Sequence, residues 1–500
     1  MVIQFLFSRV DIIQPENKMQ RIFLVFVVLI LLAACAPRNP SDLPGSTIVL
    51  EDCTLTSPSG NQVEARCGTL RVPEDRSNPS GRQIDLHVAI VPAVRRDPEP
   101  DPLFLLAGGP GQSAIEAFPA MINLMFPIHE DRDIVLVDQR GTGKSNPLRC
   151  LDPEDETLTG EQALEEVRAC PTTLEADLRF YTTEIAMIDL DEVRTALGYE
   201  RINLYGASYG TRAALTYLRM FPERVRTLTL DAVVDSDFVI FMEAAEDGQA
   251  ALEAFFARCE ADSACATTFP ELRSEFHDIL VRLEESPAEI TVPHPLTAAP
   301  LELTVTRDMI ASMVFNTLYV PDLVATLPVS IHSAYAKGNY APLISQAFLV
   351  NAGLYDGMFY AVACTEDAPL ISGEQAAQRA QGSVFGDLTV EFVETCGEWP
   401  RGEVSEDFRE PVVSDVPTLI LSGAADPITP PRHAETVAES LSNELHLVFE
   451  GMGHGNLASR CSLKIFQDFL ESASVEELNT VCAEGIQPPP FFVDFSGPRP

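Results

Sequence analysis

Positive charge is what this chain has least of. Lys18, Lys144, Lys337 and Lys464 are its only lysines, and 34 basic residues face 74 acidic ones, a formal net charge of −40. A surface this negative repels nucleic acid and anionic lipid headgroups, which excludes both as partners; the same charge serves solubility. Metal-binding patterns are also missing. No close pair of cysteines has histidines at zinc-finger spacing, so neither a metal site nor a cofactor is expected. Gly143-Lys144-Ser145 lacks the glycine that a phosphate-binding loop needs five positions before its Gly-Lys pair. Position 138 is aspartate, and nucleotide binding there is excluded.

What is present suits a globular protein: 500 residues, 46% hydrophobic and 22% charged, enough for one large domain with an insertion or for two domains. The amino-terminal residues 1–35 read as a signal peptide. Lys18 and Arg21 precede the apolar run Ile22 to Leu32, too short to span a bilayer comfortably. Leu32-Ala33-Ala34-Cys35 resembles a bacterial lipobox, which implies lipidation at Cys35 and an extracytoplasmic, membrane-anchored protein; a cleaved, soluble secretion signal is the alternative. Ten further cysteines fall in close sequence pairs: Cys53/Cys67, Cys150/Cys170, Cys259/Cys265, Cys364/Cys396 and Cys461/Cys482. In an oxidising compartment these read as short-loop disulfides, with neighbour pairing the simplest connectivity.

Residues 36–50 read as a tether. Two strands, 67–73 and 83–91, flank a turn-rich stretch and predict a hairpin. A buried strand, 102–107, runs into Gly108-Gly109-Pro110-Gly111, and another, 133–137, leads into the Asp138 loop. Apolar periodicity predicts a helix over 184–198, ended by Gly198. A strand at 201–205 meets Gly206-Ala207-Ser208-Tyr209-Gly210, a helix follows, and 225–234 is again a strand. Alternating strands and helices with continuous apolar runs predict an α/β fold, a mostly parallel sheet with helices on both faces. The alternation stops over 236–411, which reads as an inserted, mainly helical cap. It resumes with a strand at 417–422, a helix at 431–441, a strand at 444–449 and a helix at 463–472. The catalytic domain would then be discontinuous, 51–235 and 412–487, with 488–500 an extended tail.

G-x-S-x-G between a strand and a helix is the context of a nucleophile elbow, and Ser208 is the candidate nucleophile. A serine needs a positioned base, itself held by an acid. Only His454, of eight histidines, sits between glycines just past a strand, and Asp426 follows the preceding strand. That chain order, serine, acid, histidine, is the one an α/β-hydrolase requires. Asp231, after the strand that follows the elbow helix, is the alternative acid. Oxyanion donors are expected from the Tyr209 and Gly109 amides.

These motifs together resemble the secreted prolyl/tripeptidyl aminopeptidase family of α/β-hydrolases: Gly108 to Gly111, Asp138 to Ser145, Gly206 to Gly210, Asp426, Gly453-His454-Gly455, and the opening Cys67-Gly-Thr-Leu-Arg-Val-Pro-Glu-Asp75. The resemblance runs from about residue 50 to 485. Ala107 departs from it, since prolyl aminopeptidases carry histidine there, which weakens the strict proline-releasing subgroup. The resemblance implies an acyl-enzyme exopeptidase acting on peptide substrates, with a cap carboxylate for the substrate's free amine. Glu366, with Asp367 second, is the candidate in Ala361-Val-Ala-Cys-Thr-Glu-Asp367. A carboxylesterase using the same triad is the alternative, and a non-catalytic binding protein of the same fold a third reading. Serine at 208 excludes the relatives that use an aspartate nucleophile. Oligomeric state stays open.

Overall fold

The computed structural model describes residues 48–57, 60–152, 160–294, 298–350 and 353–498. The expected signal peptide, Cys35 and residues 36–47 of the expected tether lie outside them. The last residues of that tether are packed rather than free. Ile48 and Leu50 are buried in the core, and a side chain at Gly68 would collide with them.

Nine strands form one sheet in the order β1-β2-β3-β5-β4-β6-β7-β10-β11. These are β1 Glu51–Thr56, β2 Gln62–Pro73, β3 Gln83–Val91, β4 Leu103–Leu106, β5 Ile134–Val137, β6 Ile202–Ala207, β7 Val225–Asp231, β10 Thr418–Gly423 and β11 Glu444–Phe449. The pairs β1/β2, β2/β3 and β3/β5 are antiparallel, and all later pairs are parallel. β1 was not expected, because its mix of acidic and threonine residues has no apolar run. The central strands are buried on both faces, and their side chains alternate between two cores. Phe104 and Leu106 face a core shared with the helices Thr183–Leu197 and Tyr209–Met220. Leu103 and Leu105 face the other, closed by Phe466 and Phe469 of the helix Arg460–Ser472. Each such residue contributes about 1.5–3 kcal/mol through burial.

The strand order reverses at β4, whose neighbours β5 and β6 come later in the chain, and ligands of open α/β sheets bind beyond such a switch point. The Asp138 loop beside it is structural. Asp138 accepts hydrogen bonds from Ser113 Oγ (2.6 Å) and from the Ile115 and Lys144 amides (both 3.2 Å). Gly143 is required because any side chain there would collide with that carboxylate. Arg140, fully buried, pairs with Asp189 at 2.7 and 2.9 Å and ties the loop to the helix Thr183–Leu197.

The segment 236–411 divides between two cores. The helices Ala244–Ala261, Leu272–Glu285, Arg307–Leu318, Leu327–Lys337 and Ala341–Val350, with a hairpin of β8 Ala288–Pro293 and β9 Pro300–Val305, build a separate cap core. The helix Asp356–Glu366 instead packs into the main core through Met358, Ala361, Val362 and Ala363. The disulfide Cys364–Cys396 fastens the helix Gly386–Cys396 to it. The cap is therefore interrupted rather than continuous over 236–411: Asp356–Glu366 leaves it, and Phe385 packs back into its core against Phe315. The other four disulfides join Cys53–Cys67, Cys150–Cys170, Cys259–Cys265 and Cys461–Cys482, all sequence neighbours. The tail from 488 is not free: Phe491 is buried in the cap core against Phe255, under the Arg258 guanidinium. Among the described residues no helix is long and apolar enough to cross a membrane.

Candidate active site

Ser208 stands where β6 turns into the helix Tyr209–Met220, with φ 56° and ψ −125°. That conformation costs a non-glycine residue about 1–3 kcal/mol and is held by its surroundings. Its amide donates to the Asp231 carbonyl (2.9 Å), and its carbonyl accepts from the Thr211 amide (2.8 Å) and hydroxyl (2.7 Å). The flanking glycines are obligatory. A Cβ at Gly206 would collide with the Gly210 carbonyl, and one at Gly210 with the Leu106 carbonyl. Tyr209 opens the helix, so its amide has no intrahelical acceptor.

The glycine loop lies directly beside the serine. A Cβ at Gly108 would stand 3.2 Å from Ser208 Cβ, and Gly109 has φ +107°. This loop is braced by the segment that returns from the cap. The Tyr355 amide donates to the Gly111 carbonyl (2.8 Å), Leu354 packs on Gly109, and the Tyr355 hydroxyl donates to Glu116 (3.0 Å). Nothing in the Leu354-Tyr355-Asp356 sequence marks it as a brace, because the contact is made across more than 200 residues.

His454 and Asp426 meet on the loops after β11 and β10. His454 Nδ1 donates to Asp426 Oδ2 at 2.9 Å, an assignment that follows because a carboxylate only accepts. Asp426 Oδ1 takes the Ile428 and Thr429 amides (3.0 and 2.9 Å), and the Thr429 hydroxyl donates to Oδ2 (2.9 Å). Burial would raise the Asp426 carboxyl, but His454 and these donors hold it below its ordinary value. Burial would lower the imidazole, but the Asp426 charge and hydrogen bond, with Asp231 beyond, hold it above its ordinary value.

Asp231, the alternative acid, is spent elsewhere. Its carboxylate accepts from the Tyr205 hydroxyl (2.8 Å) and from the Asn456 amide and side chain (2.7–2.9 Å). It is raised, chiefly by burial. The glycines around His454 also serve the cap. The Gly453 position is pressed by the Tyr319 carbonyl, which accepts the His454 amide (2.9 Å), while Gly455 supplies φ +95°. The Tyr319 ring stands edge-on to the imidazole at 4.9 Å. Tyr319 and Thr429 were not anticipated, and only a contact map would reveal them.

Glu366 and Asp367 are not where a substrate amine could reach them. Both are buried, and neither lines the cleft. Glu366 accepts the Thr183 amide (2.7 Å) and hydroxyl (2.9 Å) and lies 3.7 Å from Arg212. Asp367 receives Arg212 bidentately (3.0 Å each) and Arg409 (2.5 Å). Burial pushes the Glu366 carboxyl up to about 7 against the pull of Arg212. The expectation of an amine anchor fails because the helix Asp356–Glu366 belongs to the main core, not the cap.

Ser208, His454, Gly109 and Tyr209 line one cleft of about 1170 Å³. Its walls are mainly apolar and include Phe118, Met121, Leu124, Phe238, Met313 and Phe315. A strained serine at a helix start, beside a glycine loop and a histidine–aspartate pair, defines a hydrolase of the α/β class.

Residues 101–282 match the alpha/beta hydrolase fold family, and residues 382–482 match the family described as TAP-like protein. Over these two segments the chain is similar to the TAP-like α/β-hydrolases. It is 26% identical to serine protease Hip1 of Mycobacterium tuberculosis over 492 residues, 88% of this chain and 93% of that protein. A 206-residue stretch is 31% identical to tripeptidyl aminopeptidase of Streptomyces lividans, covering 37% of this chain and 38% of that one. Carboxylesterase B of Mycobacterium tuberculosis is 27% identical over 441 residues, 78% and 80% of the two chains.

Proposed function

We propose that this protein is a serine exopeptidase that releases residues or short peptides from the free N-terminus of peptide substrates. The observation that carries the reading is the His454–Asp426 hydrogen bond, with His454 lining the same cleft as Ser208. Ser208 Oγ attacks the scissile carbonyl carbon and passes its proton to His454 Nε2. The imidazolium is held by Asp426 and returns the proton to the leaving amine as the C–N bond breaks. The amides of Gly109 and Tyr209 receive the oxyanion. Water then hydrolyses the acyl-enzyme with His454 again as base. The resemblance to serine protease Hip1 across most of both chains supports peptides as the substrate class.

Carboxylesterase activity with the same residues is the second reading, favoured by the largely apolar cleft and by the likeness to carboxylesterase B. We also propose export and lipid anchoring at Cys35; five disulfides in the described residues support an oxidising compartment. A fluorophosphonate probe should label the protein and leave Ser208→Ala unlabelled, and labelling of that variant would refute the nucleophile assignment. Free and N-acetylated peptide amides assayed beside a short-chain ester separate the two substrate readings.

A further inference from the structure

Besides three tyrosines, six ionisable side chains line the cleft: Arg149, Asp152, Arg212, Asp231, Asp356 and His454. Most are satisfied by the protein. Arg212 is held bidentately by Asp367, Asp231 by Tyr205 and Asn456, and His454 by Asp426. Asp356 Oδ2 accepts the Cys150 and Leu151 amides at 2.9 Å each, and Asp152 is engaged in contacts of its own. Arg149 differs. Its guanidinium carbon stands over the Tyr355 ring, 4.0 Å from the centroid, and its polar contacts are the Tyr355 hydroxyl and a long bond, 3.4 Å, to the Leu354 carbonyl. Among the described residues it forms no ion pair, in a chain where acidic side chains outnumber basic ones by 74 to 34. A guanidinium has five N–H donors, so one held over a ring by a neutral hydroxyl and a carbonyl keeps donors for a carboxylate, which it can receive in two parallel hydrogen bonds. Two neighbouring carboxylates among the described residues are engaged by other donors: Asp356 Oδ2 by the Cys150 and Leu151 amides, and Glu116 by the Tyr355 hydroxyl at 3.0 Å.

We propose that Arg149 receives a carboxylate carried by the substrate. It thereby makes the cleft selective for short peptides with an anionic group away from the scissile bond. This rests on the peptidase reading above and narrows its substrate class. The Arg149–Tyr355–Leu354 stack also borders the glycine loop, so selectivity is read as a ratio within each variant, which cancels any general loss from a loosened loop.

The test compares tetra-alanine as free acid, tetra-alanine amide, and an otherwise identical amide ending in glutamate. Each is measured as a substrate and as a competitive inhibitor of p-nitrophenyl butyrate hydrolysis. The wild type should prefer the free acid over the amide by roughly 10- to 100-fold, the range of a hydrogen bond to a charged group. Arg149→Gln should bring that ratio close to unity, and Arg149→Lys should keep part of it, having the charge without the flat fork. A wild-type ratio near unity overturns the assignment, and so does a preference undiminished in Arg149→Gln. If that variant does not fold, the wild-type ratio and Arg149→Lys decide. Glutamate amide matching the free acid would place the carboxylate on a side chain; free acid alone would place it at the C-terminus, and either supports the assignment. If no peptide is cleaved but the free acid inhibits ester hydrolysis far better than the amide, the peptidase reading falls and Arg149 stands.

Discussion

Two groups of buried carboxylates flank the elbow helix, and they have opposite designs. On the cleft side, Asp426 gives one oxygen to His454 and keeps its charge, below its ordinary pKa. Off the cleft lining, Glu366 and Asp367 are closed in by Thr183, Arg212 and Arg409, and Glu366 is pushed up to about 7. Burial is common to both and decides neither. What separates them is whether the partner has a free face toward a cavity: the imidazole keeps one ring nitrogen for the cleft, whereas the Arg212 fork is consumed by Asp367. A buried acid beside a catalytic helix is therefore no sign of a substrate site by itself.

The sharpest way to break that contrast is Asp426→Asn. It should lower kcat by about 10⁴-fold with little change in unfolding midpoint, as expected when a triad acid no longer fixes the tautomer. The acid limb of kcat/KM should also move. Activity rises as His454 loses its proton, and the Asp426 charge holds that loss at higher pH, so the limb shifts to lower pH in the variant. A variant with wild-type turnover would remove Asp426 from the mechanism.

Asp367→Ala should do the reverse, costing about 3–5 kcal/mol of stability by stranding Arg212 and Arg409, read in chemical denaturation. Loss of turnover without loss of stability would mean that this ionic layer acts on the chemistry after all.

Glu366→Gln is a finer test. The folded protein holds this proton more tightly than the unfolded chain, so the stability it contributes is full below about pH 4.5 and declines as pH rises through about 7. The variant should flatten that decline, by roughly 1–3 kcal/mol across the window. Parallel stability curves for the two proteins would show the carboxyl to be ionised throughout.

The smallest expected effect is that of Thr429→Val, which removes one hydroxyl from Asp426 Oδ2 and should cost about 1 kcal/mol in kcat/KM. A loss as large as that of Asp426→Asn would make Thr429 part of the relay rather than its support.

Much of the catalytic face was legible because local rules carry it. Gly206, Ser208 and Gly210 are dictated by a turn whose backbone atoms nearly touch, and Gly198 by the left-handed end of its helix at φ 82°. Chain order alone pointed to Asp426 and His454. The decision against Asp231 came from Asn456, two residues past the histidine, whose amide and side chain occupy that acid. What stayed hidden is whatever depends on distant packing. The Glu366 segment reads as cap by its position between two α/β stretches, yet Met358 to Ala363 belong to the main core. The hairpin β8/β9 was masked by charged and proline residues on strands that are half exposed.

The packed tail has a mechanical consequence. A hood joined to its base by only an outgoing and a returning strand can swing about the line between them. Here Phe491 is clamped between Phe255 and Arg258, and the Phe492 amide bonds the Ala325 carbonyl at 2.9 Å. That third fastening ties the cap to the chain's end as well as to its two connecting segments, and so restrains such a swing.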